Sequence, residues 1–187
     1  MKKSLKYVLF GVVELLLLCA VAFGAVKLTS AKPSGHTVEV TSEYGTTTYA
    51  PIGIAADKFI KNMEKAGYVG KTSISKDSGD DSVRSEEMRF YTCEYENGMK
   101  LELETDKRGN VYDVYISYSS GIDDGKIHEA FVKAYNKSIP KDILDKISLS
   151  LTDNEYYTYR SNNIQYYAFG VGSLNHISIC SDVEHVS

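Results

Sequence analysis

The chain has 187 residues, 43% hydrophobic and 25% charged, which excludes a disordered polymer and leaves room for one ordinary folded domain. Lys2, Lys3, Lys6 and Lys27 sit in the N-terminal segment against Glu14 alone, so the 21 Lys and Arg and 25 Asp and Glu of the chain become 17 and 24 from Ala31 onward, a net charge of −7. A domain this acidic, with no Lys/Arg stripe in its sequence, repels phosphate backbones and anionic lipid heads, so nucleic acid is not an expected partner.

Residues 1–28 read as a targeting segment. Lysines at positions 2, 3 and 6 precede an apolar run from Tyr7 to Val26 that only Glu14 interrupts. The positive end stays inside, which sends the rest of the chain out of the cytoplasm. At about 1.5 Å per residue, residues 7–26 reach about 30 Å, enough for a retained membrane anchor. Glu14 costs about 2 to 3 kcal/mol at mid-membrane, and Leu15, Leu16, Leu17 and Leu18 return about 0.5 kcal/mol each. Alternatively, Leu15–Val26 is the core of a signal peptide cleaved after the small-x-small run Ala20, Val21, Ala22, and the domain is secreted. A lipid-modified Cys19 is a third reading, against which the preceding Leu18 argues. Residues 29–50, rich in Ser and Thr, are expected to form a tether with one short strand at His36–Val40.

Residues 51–187 carry the periodicities of a single α+β extracytoplasmic domain. Ala56, Phe59, Ile60 and Met63 mark the buried face of a first helix, preceded by Pro51 and stopped by Gly67. A polar loop is expected from Lys71 to Ser85. Then come three strands. A three-residue loop at Glu96, Asn97 and a left-handed Gly98 sets Tyr95 opposite Met99, Cys93 opposite Leu101 and Tyr91 opposite Leu103, so that all the apolar groups share one face. The next turn, through Lys107, Arg108 and Gly109, is expected to set Leu103 opposite Tyr112, Leu101 opposite Val114 and Met99 opposite Ile116.

A second helix is expected from about Asp124, burying Ile127, Ala130, Phe131 and Ala134, with Pro140 ending it and opening a short third helix to about Ile147. Tyr156–Arg160 and Ile164–Phe169 pair around Asn162 and Asn163, with Tyr159 against Tyr166 and Tyr157 against Ala168. A last strand runs from Leu174 to Cys180. A helix followed by antiparallel strands thus occurs twice. Phe59-Ile-Lys-Asn-Met-Glu-Lys65 echoes Phe131-Val-Lys-Ala-Tyr-Asn-Lys137, as an αβββ-αβββ duplication would. The expected fold is helices packed on one face of an antiparallel sheet. Over Ile54 to Cys180 this layout resembles the tandem helix-plus-sheet arrangement of beta-lactamase-inhibitor-protein-like domains, a likeness of architecture that carries over no functional residue.

Chemistry-bearing residues are scattered. Cys93 and Cys180 can pair in an oxidising compartment, but Ile177 and Ile179 on the core face turn Cys180 the other way, so a disulfide and two separate thiols are both open. Asp77, Asp80 and Asp81 lack the spacing of a calcium loop, and Asp123 and Asp124 suit a helix N-terminus. His36, His128, His176 and His185 make no metal-ligand pattern, and His128 and Glu129 point about 100° apart on a helix. No catalytic motif, cofactor or metal site is evident.

Fifteen Tyr and no Trp are the anomaly of the composition. Strand propensity accounts for many of them. Tyr115, Tyr156, Tyr167 and Phe169 fall on the face opposite the core residues, which is either covered by more structure or open. If open, it offers rigid contact area and hydroxyls to a protein or an envelope glycan. The sequence thus suggests a non-catalytic binding module displayed outside the cytoplasmic membrane. The alternatives are a small hydrolase of envelope polymers, using Glu102, Glu104 or Asp113, and an inhibitor of an extracellular enzyme.

Overall fold

The structure is a computed structural model that describes residues 37–42, 45–75, 88–122 and 126–181. The targeting segment, His36, the acidic loop at Asp77, Asp80 and Asp81, Asp123, Asp124 and His185 lie outside the described residues. β1 (Val38–Ser42) and β2 (Gly45–Tyr49) form a hairpin. Then follow α1 (Ala56–Lys65), β3 (Lys71–Ser75), β4 (Arg89–Glu94), β5 (Lys100–Thr105), β6 (Val111–Ser119) and a single 3-10 turn at Ser120–Ile122. The second half is α2 (Ile127–Tyr135), α3 (Lys141–Asp153), β7 (Tyr156–Ser161), β8 (Ile164–Val171) and β9 (Leu174–Ser181).

Seven strands make one antiparallel sheet in the order β3-β4-β5-β6-β9-β8-β7, and the helices pack against it, an α+β fold. The last strands of the two meanders, β6 and β9, meet at the centre with Val114 opposite Ile179 and Ile116 opposite Ile177. In strand order and direction, a half-turn about this seam exchanges β4-β5-β6 with β7-β8-β9.

Alternation decides which residues enter the core. Cys93, Leu101, Leu103, Val114, Ile116, Ile177, Ile179 and Ala168 are fully buried against Phe59 and Met63 of α1, Phe131 and Val132 of α2 and Ile147 of α3. α1 and α2 are tied by the Asn62 side-chain amide, which donates to the Ala134 carbonyl at 2.7 Å. The chain enters the domain as an extended strap. Ile52 N–H donates to Val111, Val111 N–H donates to Ile54, and the Tyr135 hydroxyl holds the Ile52 carbonyl at 2.7 Å.

The hairpins follow the hydrophobic pattern closely. Gly98 is left-handed at φ 83°, Tyr95 N–H donates to Met99, and Cys93 and Tyr91 face Leu101 and Leu103. At the β7–β8 turn Asn162 and Asn163 both have positive φ, with Tyr159 opposite Tyr166 and Tyr157 opposite Ala168.

Five expectations are corrected. The β5–β6 register is displaced by two residues: Leu101 faces Ile116 and Leu103 faces Val114, with a bulge beyond Glu104. The Asp106 carboxylate causes this by accepting the N–H groups of Arg108 and Asn110 and the Asn110 side-chain amide, which lengthens the turn. Because the displacement is even, Val114 and Ile116 keep the expected core face, while the bulge sets Val111 opposite Thr105 and brings it into the core. Lys71–Ser75, expected to be loop, is the edge strand β3, which needs no apolar alternation because all five residues are exposed. The tether region contains the β1–β2 hairpin, whose first strand starts at Val38. α2 begins at Ile127, and Ala130 is only partly buried. α3 runs to Asp153, where Asn154 in the left-handed conformation ends it, six residues past Ile147.

Candidate functional site

The sheet face away from the helices is built from rows of directly opposed residues. One row across the strands reads Glu94, Lys100, Ser117, His176, Phe169, Tyr156. The next reads Thr92, Glu102, Tyr115, Ser178, Tyr167, Thr158. A third reads Phe90, Glu104, Asp113, Cys180, Gln165, Arg160. Among the described residues no helix lies over these rows, since α3 packs against the opposite face of β7 and β8.

Tyr115, Tyr156, Tyr167 and Phe169 come together on this face. Ring centroids run from Tyr115 to His176 at 5.6 Å, His176 to Phe169 at 4.9 Å, Phe169 to Tyr156 at 5.3 Å and Tyr156 to Tyr167 at 5.9 Å. Tyr167 also meets Phe169 at 5.5 Å, closing the cluster. The four consecutive contacts have interplanar angles of 31° or 32°. His176, Phe169 and Tyr156 are closer than rings lying flat side by side can come. They therefore stand on the sheet, partly stacked face to face, with their edges outward. Tyr156 ends the stack on strand β7 and is 68% exposed.

His176 is the residue that sequence reasoning missed. Its Nδ1 lies 3.0 Å from Ser117 Oγ, its partner across the central seam. Burial among the rings pushes its pKa below the ordinary imidazole value, with the Glu102 carboxylate opposing. The signal was available in the parity that turned Cys180 outward, because His176 shares that parity. Recognising it needed the pairing of β9 with both β6 and β8.

The flank of the cluster is acidic. Tyr115 hydrogen-bonds to Glu102, which is also paired with Lys100 at 2.9 Å. Burial first, then the nearby carboxylates of Glu102, Glu104 and Asp113, raises the Tyr115 phenol above its usual range. Glu104 and Asp113 face each other directly across β5 and β6. The three carboxylates named as hydrolase candidates are thus neighbours on the sheet, with Glu104 itself buried.

The two cysteines do not pair. Both are thiols, with Cys93 buried on the helix side and Cys180 on the outer side. Three strand spacings separate β4 from β9, about 14 Å, far beyond disulfide reach. Cys93 lies 3.2 Å from Thr72 Oγ1, and burial raises its pKa.

Clefts lined by described residues lie on the helix side. One of about 460 Å³ lies among Gly53, Lys58, Asn62, Tyr135, Asn136 and Tyr166, where burial pushes the Tyr135 phenol up to about 12. A second, of about 540 Å³, runs between α1 and α2 and gathers Lys65, Lys126, Lys133 and Lys137, a grouping of lysines the sequence did not reveal. Lys133 pairs with Glu129 there. His128, beside Glu129 in sequence, is buried. Among the described residues no cluster of His, Cys, Asp or Glu could hold a metal ion, and no helix is long and apolar enough to cross a membrane. No family model matches the chain, and neither a curated protein nor a solved structure is found to be similar to it. The architectural resemblance noted in the sequence therefore carries no argument about function.

Proposed function

We propose that the protein is a non-catalytic binding module, held outside the cytoplasmic membrane by residues 7–26 or released after signal cleavage, and that its contact site is the outer sheet face. The single observation that carries this reading is the continuous cluster Tyr115, His176, Phe169, Tyr156, Tyr167 on a face no described helix covers. Each aromatic contact contributes about 0.5 to 1.5 kcal/mol to a rigid platform, so little conformational entropy is lost when a partner docks. Stacked rings that present edges and hydroxyls suit a protein partner, and the exposed terminal ring, Tyr156, leaves contact area for an envelope glycan.

The hydrolase alternative has an adjacent carboxylate pair in Glu104 and Asp113. It lacks support from a cleft, since these residues line none of the clefts described above.

Substituting Tyr115, Tyr156 and Tyr167 together by Ala tests the reading. The triple variant keeps its cooperative melting transition and fails to retain the partner that the unsubstituted chain captures from an envelope extract. Equal capture by both would remove this face from consideration. A reporter fused at the C-terminus and active only in the cytosol would remove the location.

A further inference from the structure

Two of the clefts on the helix side join. The cleft of about 460 Å³ and the cleft of about 540 Å³ share Asn62, Ala134 and Lys137, and the hydrogen bond from the Asn62 amide to the Ala134 carbonyl lies at their junction. α1 and α2 pass each other there in opposite directions. Lys58 shares the first cleft with Tyr135 and Lys137, while the second runs on from Asn62 to Lys65 along α1 and from Ala134 back to Lys126 along α2. From Lys58 to Lys65 the helix rises about 10 Å at 1.5 Å per residue, so the joined clefts form a groove of at least this length.

The lining of this groove reverses the charge of the domain. Lys58, Lys65, Lys126, Lys133 and Lys137 line it with one carboxylate, Glu129, whereas the chain from Ala31 onward carries a net charge of −7. Glu129 is paired with Lys133, and Asp57 and Glu64 of α1 line neither cleft. Seven residues are nearly two helical turns, so Lys58 and Lys65 share one face of α1 with Asn62 between them. Ala66, Ala130 and Ala134 lie between the two rows and leave the ammonium groups room. The helix macrodipoles account for Lys65 and Lys133, which stand in the last turns of α1 and α2. They do not account for Lys58 in the first turn of α1 or for Lys126 at the N-cap of α2, where a cation is disfavoured.

We propose that this groove is a binding site for a linear chain of phosphate groups. Cations at both ends and in the middle fit negative charge repeated along a chain better than a single anion. The cations are all lysines: among the described residues no arginine lines either cleft. An ammonium neutralises phosphate as a point charge, whereas a planar carboxylate is best held by the two-pronged guanidinium of arginine, so the lining favours phosphate over an acidic peptide. At physiological salt the field of a charge decays over about 8 Å, and a short chain lying in the groove therefore meets its lysines before the acidic remainder of the domain. A nucleic-acid duplex, which extends well past the groove, meets that remainder too and is not favoured. The site is on the helix side, away from the outer sheet face, and does not rest on the reading of that face.

Calorimetric titration of the full chain in non-ionic detergent, free of divalent cations, tests this with tripolyphosphate as the probe. The unsubstituted chain binds it, more tightly than it binds orthophosphate, and the affinity falls steeply as salt is raised. Lys137→Gln, at the junction of the two clefts, weakens binding about tenfold, and so does the pair Lys58→Gln with Lys65→Gln. Lys61→Gln removes the same charge from α1 at a position that lines neither cleft, and leaves the affinity within about twofold. All these lysines except the well-solvated Lys61 line the groove from its rim, and each variant keeps the melting transition. Absence of binding by the unsubstituted chain overturns the proposal, as does equal weakening by Lys61→Gln and Lys137→Gln, which would reduce the effect to net charge. Orthophosphate binding as tight as that of tripolyphosphate overturns the chain, and hexaglutamate binding as tight overturns the phosphate. None of these outcomes depends on whether the outer sheet face captures a partner.

Discussion

Phe59 and Phe131 occupy the same place in the two echoing helical segments, and in the folded protein their rings pack edge to face with centroids 5.5 Å apart. Both are fully buried in the core. Truncating either to Ala should cost about 3 to 5 kcal/mol, with about 0.5 to 1.5 kcal/mol of coupling between them in a double-mutant cycle. Urea unfolding measures both. Additive effects would mean that the two rings do not support each other.

Gly170 lies on the helix side of β8 where α3 crosses it. A Cβ added there would sit 2.4 Å from the Leu151 carbonyl oxygen and 3.2 Å from its carbon, both of them backbone atoms. Gly170→Ala should therefore push α3 off the sheet and destabilise by about 1 to 3 kcal/mol or more. A melting temperature unchanged by this substitution would contradict the close approach.

Asp106 organises the β5–β6 turn through three hydrogen bonds of 2.8 to 2.9 Å and is itself buried. Hydrogen bonds to a charged group contribute about 1.5 to 3 kcal/mol, so Asp106→Ala should cost at least about 2 kcal/mol. Asp106→Asn, which can still accept from the main chain, should retain part of this. Chemical denaturation of the two variants separates the contributions.

His176 has a pKa lowered in the folded state by burial among the rings. Above about pH 6.5, the ordinary imidazole value, it is neutral in both states and its burial goes unopposed. As the pH falls through that value and then through the lower folded one, the unfolded chain takes up the proton first and stability is lost. His176→Gln should flatten this part of the melting-temperature profile. NMR titration of the ring should give a midpoint below that of a free imidazole, and a midpoint above it would refute the burial argument.

Two thiols on opposite faces predict two alkylations of the described cysteines in non-reduced, denatured protein. In the native state Cys180 should react first, because burial raises the Cys93 pKa and shields its sulfur. A non-reduced mass two hydrogens short would contradict this.

Much of the local structure was legible because hydrophobic alternation and turn chemistry act over a few residues. Gly98 had to be left-handed for Cys93 and Tyr91 to share a face with Leu101 and Leu103, and it is. Asn162 and Asn163 fixed the β7–β8 register in the same way. The pattern could not count residues inside the Asp106 turn, since a displacement of two leaves Val114 and Ile116 on the core face and only the bulge at Val111 departs from it. It also passed over β3, whose five exposed residues are held by main-chain pairing that sequence does not display.

The amino-acid sequence by itself determined most of the elements between Ala56 and Cys180, most faces of their side chains and the placement of Tyr115, Tyr156, Tyr167 and Phe169 away from the core. Only the tertiary structure decided that β6 pairs with β9, and that pairing brings His176 between Tyr115 and Phe169 and parts Cys93 from Cys180. The reason is physical: periodicity encodes which side of a strand a residue takes. Which strands become neighbours depends on burial summed over the whole sheet, and no local segment carries that sum.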